Sequence, residues 1–86
     1  MRWIVYIIEC RDQTLYTGIT TDIAKRLQSH RKGTASKYTR ARLPIRLVYK
    51  EGHPSRRSAL RREVMIKEMK RSDKLDLIRS SSPSTR

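Results

Sequence analysis

Two apolar runs separated by a short polar break occupy the first twenty residues. The first run, residues 3–8 (WIVYII), is rich in β-branched and aromatic side chains and does not alternate with polar ones, which is typical of a strand covered on both faces. A polar break at residues 11–13 (RDQ) precedes the second run, residues 15–19 (LYTGI). The pattern predicts an antiparallel hairpin whose first strand is central in its sheet.

The segment after the hairpin predicts a helix and then a loop. Residues 20–22 (TTD) offer N-cap acceptors ahead of an apolar stripe at residues 23–27. We expect this helix to run to about His30 and Gly33 to end it. Residues 33–42 are basic and polar with almost nothing apolar, so they predict an exposed basic loop.

The second half of the chain predicts one more strand and two more helices. Ile45, Leu47 and Tyr49 alternate with Arg46 and Lys50, and only Val48 breaks the polar face, which indicates a third strand. Residues 56–70 contain no Gly or Pro and predict the longest helix. Asp73 is expected to cap a last short helix through Ile78 that packs on the sheet. The fold class is therefore α/β (α+β), a small three-stranded antiparallel sheet flanked by helices in the order β-β-α-β-α-α.

Length and charge limit the domain count and the kind of partner. The chain has 86 residues, which predicts one domain over residues 1–79, and the Ser-rich stretch 80–86 without apolar residues predicts a disordered tail. Lys and Arg number 21 against 8 Asp and Glu, a formal charge of +13 that implies a polyanionic partner. Because the basic residues are spread along the whole chain, nucleic acid is favoured over an anionic membrane surface.

Cysteine usage and hydropathy indicate the compartment. Cys10 is the only cysteine, which excludes an internal disulfide and a Cys-based metal cluster and fits a reducing interior. The apolar run at 3–8 is too short for a signal-peptide core, and no stretch approaches the length of a transmembrane helix. We expect a cytoplasmic protein without a membrane partner.

Two tyrosine-containing half-motifs in the predicted hairpin resemble a known family. Val5-Tyr6-Ile7 and Tyr16-Thr17-Gly18, ten residues apart from tyrosine to tyrosine, are similar to the half-motifs that name the GIY-YIG nuclease superfamily. Arg26, His30 and Glu63 then follow in the family's order. The stretches LYTGIT at 15–20 and ALRRE at 59–63 look especially like the small stand-alone, YhbQ-like bacterial branch, and the resemblance covers roughly residues 3–78.

This resemblance implies an active site for phosphodiester hydrolysis. Its five members would be Tyr6, Tyr16, Arg26, His30 and Glu63. Glu63 would bind one divalent cation, Mg²⁺ or Mn²⁺, which take further oxygens from water and the substrate phosphate. Arg26 would present its planar fork to phosphate oxygens. Tyr6, activated by His30 or acting as a tyrosinate, is expected to activate water, and Tyr16 to hold water or phosphate by hydrogen bonds.

The residue pattern alone gives partial support to this site. Arg26 and His30 lie at positions i and i+4 and so share one side of the first helix, facing the sheet that carries the tyrosines. Taken singly, each residue has an ordinary structural interpretation. Tyrosines in strands are common core residues, Arg26 can be a solvated helix charge, and a protonated His30 is favourable near a helix C-terminus.

Glu63 is more telling, because it shares a side of the long helix with Leu60 and Ile66. Carboxylates seldom occupy such a position without a partner. The pattern leaves two alternatives, a metal ligand or an ion pair with Lys67 or Arg56, and the resemblance favours the metal ligand.

The predicted basic loop is the candidate nucleic-acid contact. It combines one aromatic ring with several cations, which suits contact with a phosphate backbone and stacking on a base or sugar. The assigned residues are Lys37, Tyr38, Arg40 and Arg42 in the loop and Arg31 and Lys32 before it. A solvated loop is the alternative. Nothing in this set is typical of base reading, so we expect contact that is independent of sequence or reads nucleic-acid shape.

Three functions follow from these patterns. The first is a metal-dependent endonuclease acting on nucleic acid, with structured or damaged DNA favoured over RNA. The alternative is a non-catalytic basic nucleic-acid-binding module on a nuclease-derived scaffold, because many relatives carry an Asn downstream of the metal-binding Glu and this chain contains none. A structural protein of a ribonucleoprotein is more remote. We expect a monomer or weak dimer, with a protein partner as one source of specificity.

Overall fold

The strand formed by the first apolar run lies at the centre of a three-stranded antiparallel sheet. The structure is a computed structural model that describes residues 2–81. Its strands are β1 (Trp3–Glu9), β2 (Leu15–Thr20) and β3 (Arg46–His53), in the spatial order β2-β1-β3. The predicted α+β fold is therefore confirmed, including the central position of β1.

Four helices flank the sheet within residues 2–81. They are α1 (Ile23–Lys32), α2 (Lys37–Arg40), α3 (Arg56–Lys67) and α4 (Arg71–Ser80). The order β-β-α-β-α-α is confirmed, and α2 adds a single turn between α1 and β3. No helix within residues 2–81 is long and apolar enough to cross a membrane.

Side chains of β1 alternate between two apolar layers. Val5 and Ile7 point to the layer built with Ala59 and Ile66 of α3, and α4 adds partly buried apolar residues there. Tyr6, Ile8, Cys10 and Ile45 form the core of the opposite layer, which α1 covers with Ile23 and Leu27. Since both faces are covered, the apolar run of β1 does not need to alternate.

Local hydrogen bonds fix the hairpin turn and both ends of α1. Asp12 Oδ1 accepts from the backbone N of Thr14 at 3.1 Å and from its hydroxyl at 2.6 Å, an Asx-type turn in place of a two-residue glycine turn. Asp22 is the N-cap of α1 and accepts from the backbone N of Lys25 at 3.0 Å. Gly33 ends the helix with φ of 81°, a left-handed conformation that favours glycine. The cap at Gly33 is as predicted, and the helix ends at Lys32, two residues beyond the predicted His30.

Three local expectations were wrong, one in the basic segment, one at the end of α3 and one at the start of α4. The segment 33–42 is not a loop throughout, because Ser36 caps the one-turn helix α2 and Thr39 has no exposed surface. Helix α3 ends at Lys67, three residues earlier than predicted, with Glu68 as its C-cap.

At the last helix, Lys70 rather than Asp73 is the N-cap, and it makes no side-chain capping bond. Asp73 lies instead in the first turn of α4, where the negative charge of its carboxylate interacts favourably with the helix dipole. This helix continues through Ser80, and the rest of the predicted tail, residues 82–86, lies outside the described residues.

Candidate active site

The two half-motifs meet where β1 and β2 pair. Tyr6 is the partner of Gly18 in the antiparallel register, and its ring lies over the glycine backbone. A Cβ atom at Gly18 would come within 2.6 Å of the Tyr6 hydroxyl oxygen and 2.7 Å of Cζ. Glycine within a strand often marks such a close approach. Gly18 therefore creates the space that the Tyr6 ring occupies.

His30 contacts Tyr6 from the last turn of α1. Its Nε2 lies 3.0 Å from the Tyr6 hydroxyl, its Nδ1 lies 2.8 Å from Oγ1 of Thr39, and neither Tyr6 nor His30 has exposed surface. Burial, helped by the charge of Arg26, lowers the pKa of His30. His30 is therefore a neutral, doubly hydrogen-bonded ring near pH 7, which removes its interpretation as a charged helix cap.

The electrostatics of Tyr6 show which other residues converge on it. Burial is the main cause that raises the pKa of Tyr6 to about 12, and the positive charge of Arg26 opposes the rise. Tyr16 and the carboxylate of Glu63 act in the same direction as burial. The other four predicted catalytic residues thus either hydrogen-bond to the Tyr6 hydroxyl or affect its pKa. At neutral pH this hydroxyl is protonated in the resting protein.

Tyr16 lies above the buried pair and is partly exposed. Its ring meets the His30 ring edge-on, with centroids 5.4 Å apart, and stacks on Tyr38 with centroids 5.9 Å apart and planes inclined by 24°. Arg26 is also partly exposed. The site therefore has an outer layer that contains Tyr16 and Arg26 and an inner layer formed by Tyr6 and His30.

Glu63 on α3 forms an ion pair with Lys67, one of the two alternatives that its position on the helix predicted. Its Oε2 lies 3.3 Å from Nζ of Lys67, and the two side chains are 15% and 55% exposed. An i to i+4 pair with a largely exposed lysine stabilises a helix only slightly, so the lysine is readily displaced. Arg56, the other candidate partner, lies over the ring of Trp3 at 5.8 Å instead. The carboxylate is thus held weakly enough to bind a cation.

A divalent cation at Glu63 would depend on few protein ligands. Within residues 2–81 no group of three or more His, Cys, Asp and Glu is arranged to hold a metal ion. A single carboxylate fits Mg²⁺ or Mn²⁺, which keep several waters and take the remaining oxygens from substrate phosphate, but it does not fit a structural zinc site. The donor set is therefore compatible with a hard cation that binds together with nucleic acid.

The predicted basic segment adjoins the outer layer of the site. Tyr38 connects the segment to this layer, because its ring stacks on Tyr16. The guanidinium of Arg42 lies over the same ring, with Cζ 3.8 Å from the ring centroid. Arg42 also donates from Nε to Asp12 at 3.2 Å and from Nη1 to the Tyr38 carbonyl at 2.9 Å. Two of its donors are thus already used in holding the segment in place. The exposed cations near it are Arg31, Lys32, Lys37 and Arg40.

Two residues of the site were not predicted. Gly18 was quoted as part of a half-motif, but its role as the floor under Tyr6 was missed, although a lone glycine within a strand signals a close backbone approach. Thr39 was missed entirely. It lies in a polar, basic stretch where nothing in the sequence distinguishes one buried threonine from its exposed neighbours.

Comparison with known proteins agrees with this geometry. Residues 2–76 match the family model described as the GIY-YIG catalytic domain. The chain belongs to the GIY-YIG family. A UPF0213 protein of Streptococcus agalactiae is 48% identical over 75 residues, which are 87% of this chain and 85% of the relative. A UPF0213 protein of Syntrophus aciditrophicus is 50% identical over 78 residues, 90% of each chain.

The solution NMR structure of the UPF0213 protein BH0048 from Bacillus halodurans is similar in fold. It superposes with a TM-score of 0.64 at 40% identity, over 98% of this chain and 89% of that chain. These UPF0213 relatives represent the small stand-alone bacterial branch of the GIY-YIG family. Membership in the family implies a nuclease-like function on nucleic acid, and GIY-YIG nucleases generally use a divalent metal ion.

Proposed function

We propose that this protein is a metal-dependent endonuclease that hydrolyses phosphodiester bonds in nucleic acid, with structured or damaged DNA as the favoured substrate. The observation that carries the proposal is the buried Tyr6–His30 pair, with Tyr16 packed against His30 and with Arg26 and Glu63 near enough for their charges to shift the pKa of Tyr6. A formal charge of +13 supports a polyanionic substrate. Family membership supports the reaction type.

The outer layer is assigned to substrate. Arg26 binds the non-bridging phosphate oxygens through its guanidinium, which disperses the charge that develops on phosphorus during attack. Tyr16, whose side chain is partly exposed, donates its hydroxyl to water or phosphate. Glu63, on α3, would hold the divalent cation, which would supply positive charge at the phosphate and make a coordinated water more acidic.

The inner layer is assigned to proton transfer. Tyr6 is not a resting tyrosinate, because its pKa is raised to about 12 while burial lowers the pKa of His30. Both pKa shifts disfavour a resting state in which the Tyr6 proton has been transferred to His30. We therefore assign Tyr6 to a concerted relay, in which its oxygen takes a proton from the attacking water as its own proton passes to Nε2 of His30. The relay requires water to reach Tyr6 when substrate binds.

The test is cleavage by purified protein with a matched pair of carboxylate variants. Nicked, flapped, branched and single-stranded DNA and the corresponding RNAs are incubated with Mg²⁺ or Mn²⁺. Wild type should cleave at least one substrate, and Glu63→Gln should lose at least about 100-fold in rate. Glu68→Gln, which removes an exposed carboxylate five residues further along, should cleave like wild type. Cleavage that persists undiminished in Glu63→Gln would refute the assignment.

The non-catalytic binding module is the second candidate. It is favoured by the absence of Asn and by the shielding of Tyr6 and His30 from solvent. It predicts salt-sensitive binding without metal and no cleavage of any substrate by wild type. The same panel of substrates therefore separates the two functions, provided that binding is measured beside cleavage.

A further inference from the structure

The short helix α2 places one buried hydroxyl beside His30. Thr39 has no exposed surface, and its Oγ1 lies 2.8 Å from Nδ1 of His30. The same oxygen lies 3.1 Å from Oγ of Ser36 and 3.4 Å from the Ser36 carbonyl. Ser36 Oγ also accepts from the backbone N of Thr39 at 3.1 Å, which caps the helix. Thr39 thus connects the inner layer of the site to the cap of α2.

The hydrogen bond between Tyr6 and His30 has a definite direction. Among the hydrogen bonds of residues 2–81, Nε2 of His30 is the one acceptor available to the buried Tyr6 hydroxyl. The nearby guanidinium of Arg26 has donors only. A buried hydroxyl that left its proton unpaired would carry a substantial cost. Tyr6 therefore donates to Nε2, and Nε2 carries no proton.

The proton of His30 must then be on its other nitrogen. A neutral imidazole carries one N–H, and burial keeps this ring neutral. With Nε2 unprotonated, the proton lies on Nδ1 and is donated to Oγ1 of Thr39. Thr39 can in turn donate to the Ser36 carbonyl. All the bonds run in one direction, from Tyr6 through His30 and Thr39 to Ser36.

We infer that Thr39 is a positioning residue, which accepts from Nδ1–H of His30 and so stabilises the tautomer in which Nε2 stays free to accept the Tyr6 proton. The partner on one imidazole nitrogen commonly sets the protonation of the other. The catalytic consequence rests on the proposed nuclease function, but the tautomer itself does not.

Nitrogen NMR of the ¹⁵N-labelled protein tests the tautomer without any substrate. Long-range ¹H–¹⁵N correlations distinguish protonated from unprotonated imidazole nitrogens, and His53→Gln assigns the two histidines. In wild type at neutral pH, Nδ1 of His30 should be protonated and Nε2 unprotonated. The opposite tautomer in wild type would overturn the inference, whatever the behaviour of the variants.

Two substitutions at Thr39 separate the hydroxyl from its packing. Thr39→Val keeps the side-chain shape but removes the acceptor, so the two ¹⁵N shifts of His30 should converge as the Nε2–H tautomer becomes populated. Thr39→Ser keeps the hydroxyl and should retain the wild-type pattern. A Thr39→Val protein that folds and shows an unchanged tautomer would contradict the role assigned to Thr39.

Kinetics then test the consequence for catalysis. With a cleaved substrate, Thr39→Val should lower kcat by at least about ten-fold with little change in KM, and Thr39→Ser should restore most of the rate. An altered tautomer with unchanged kcat would refute the positioning role in catalysis. If wild type cleaves nothing, the proposed nuclease function fails, while the NMR result still decides whether Thr39 sets the tautomer.

Discussion

Two networks that each contain a tyrosine and a histidine lie on opposite faces of the sheet. On the α1 face, Tyr6, His30 and Thr39 form a chain of side chains without exposed surface. On the α3 face, the network centres on a carboxylate, that of Glu51, which lies between Tyr49 and His53 in the alternation of β3. Glu51 there accepts from the Tyr49 hydroxyl, from Nε of Arg62 at 2.9 Å and from Nε2 of His53 at 2.6 Å, and Nδ1 of His53 meets Ser58 Oγ at 2.6 Å.

Charge distinguishes the two networks. Burial alone would raise the pKa of Glu51, but hydrogen bonds from Tyr49, His53 and Arg62 outweigh it and lower the pKa. The group is therefore ionised and neutralised by its own neighbours, and it ties β3 to α3. The Tyr6–His30 pair is kept neutral by burial, and the charges of Arg26 and Glu63 act on the Tyr6 hydroxyl. A tyrosine and a histidine in one network do not by themselves mark a site. The α1 face differs because its neutral pair has a partly exposed arginine and a weakly paired carboxylate acting on it.

Methyl groups added at two glycines that pair with β1, Gly18 on β2 and Gly52 on β3, should separate the Tyr6 site from the rest of the sheet most strongly. Gly18→Ala places Cβ against the rigid Tyr6 ring, so we expect a loss of about 1–3 kcal/mol of stability. Displacement of Tyr6 should also lower the cleavage rate by about 100-fold. Thermal or urea unfolding measures the first effect, and cleavage per folded molecule measures the second.

Gly52→Ala on β3 is the matched control, because Gly52 pairs with Ile4 rather than with Tyr6. The added Cβ would meet the guanidinium of Arg2, the far end of a flexible side chain that can move away. Stability should change by less than about 1 kcal/mol and cleavage should not change. Equal losses of cleavage in both variants would mean that the effect at Gly18 is not specific to the Tyr6 site.

Acid should weaken the two networks in different pH ranges. The pKa of His30 is lowered from 6.5 in the folded state, so the unfolded chain binds more protons and stability is lost as pH falls below about 6.5. The pKa of Glu51 is lowered from 4.5, so its stabilisation is present above 4.5 and is lost as pH falls through its folded value. Urea unfolding from about pH 8 to pH 3 should therefore show two successive losses.

Glu51→Gln should remove the second of these losses and leave the first. At neutral pH it should cost about 1–3 kcal/mol, because hydrogen bonds to a charged group are lost, without changing cleavage. Glu9→Gln is the control, since the Glu9 pair at 2.8 Å joins Arg46, which is 74% exposed, and such pairs contribute little. If Glu51→Gln still loses stability at acid pH as wild type does, this carboxylate does not hold β3 to α3.

The sequence predicted the fold well because its apolar runs were decisive. An unbroken apolar strand, an N-cap aspartate before α1 and Gly33 after it are local signals, and each corresponds to the observed structure. The short helix α2 could not be predicted, since its one turn depends on the buried Thr39 contacting His30 nine residues earlier in the chain. The end of α3 was missed because no Gly or Pro marks it.

The candidate site was predicted as a set of residues but not as two layers. The i to i+4 spacing of Arg26 and His30 placed both on the sheet side of α1, and the odd position of Glu63 was visible on α3. Which tyrosine is shielded depends on cross-strand register and on Gly18, so no local pattern could separate Tyr6 from Tyr16. The network around Glu51 was also missed, since His53 and Arg62 come together only when α3 packs on β3.

The smallest expected effect concerns basic residues on the two faces. Lys32 is exposed at the end of α1, on the face of the sheet that carries the candidate site, whereas Arg71 is exposed on α4, whose apolar side packs on the other face. If DNA lies across the α1 face, Lys32→Gln should reduce the slope of log affinity against log salt by about 0.9, the value for one phosphate contact, and Arg71→Gln should leave it unchanged. Fluorescence anisotropy with labelled duplex over a salt series measures both slopes. Equal reductions in the two variants would indicate that DNA responds to a diffuse positive field around the whole protein. DNA binding would then not favour the face with Tyr6 over the face with Glu51.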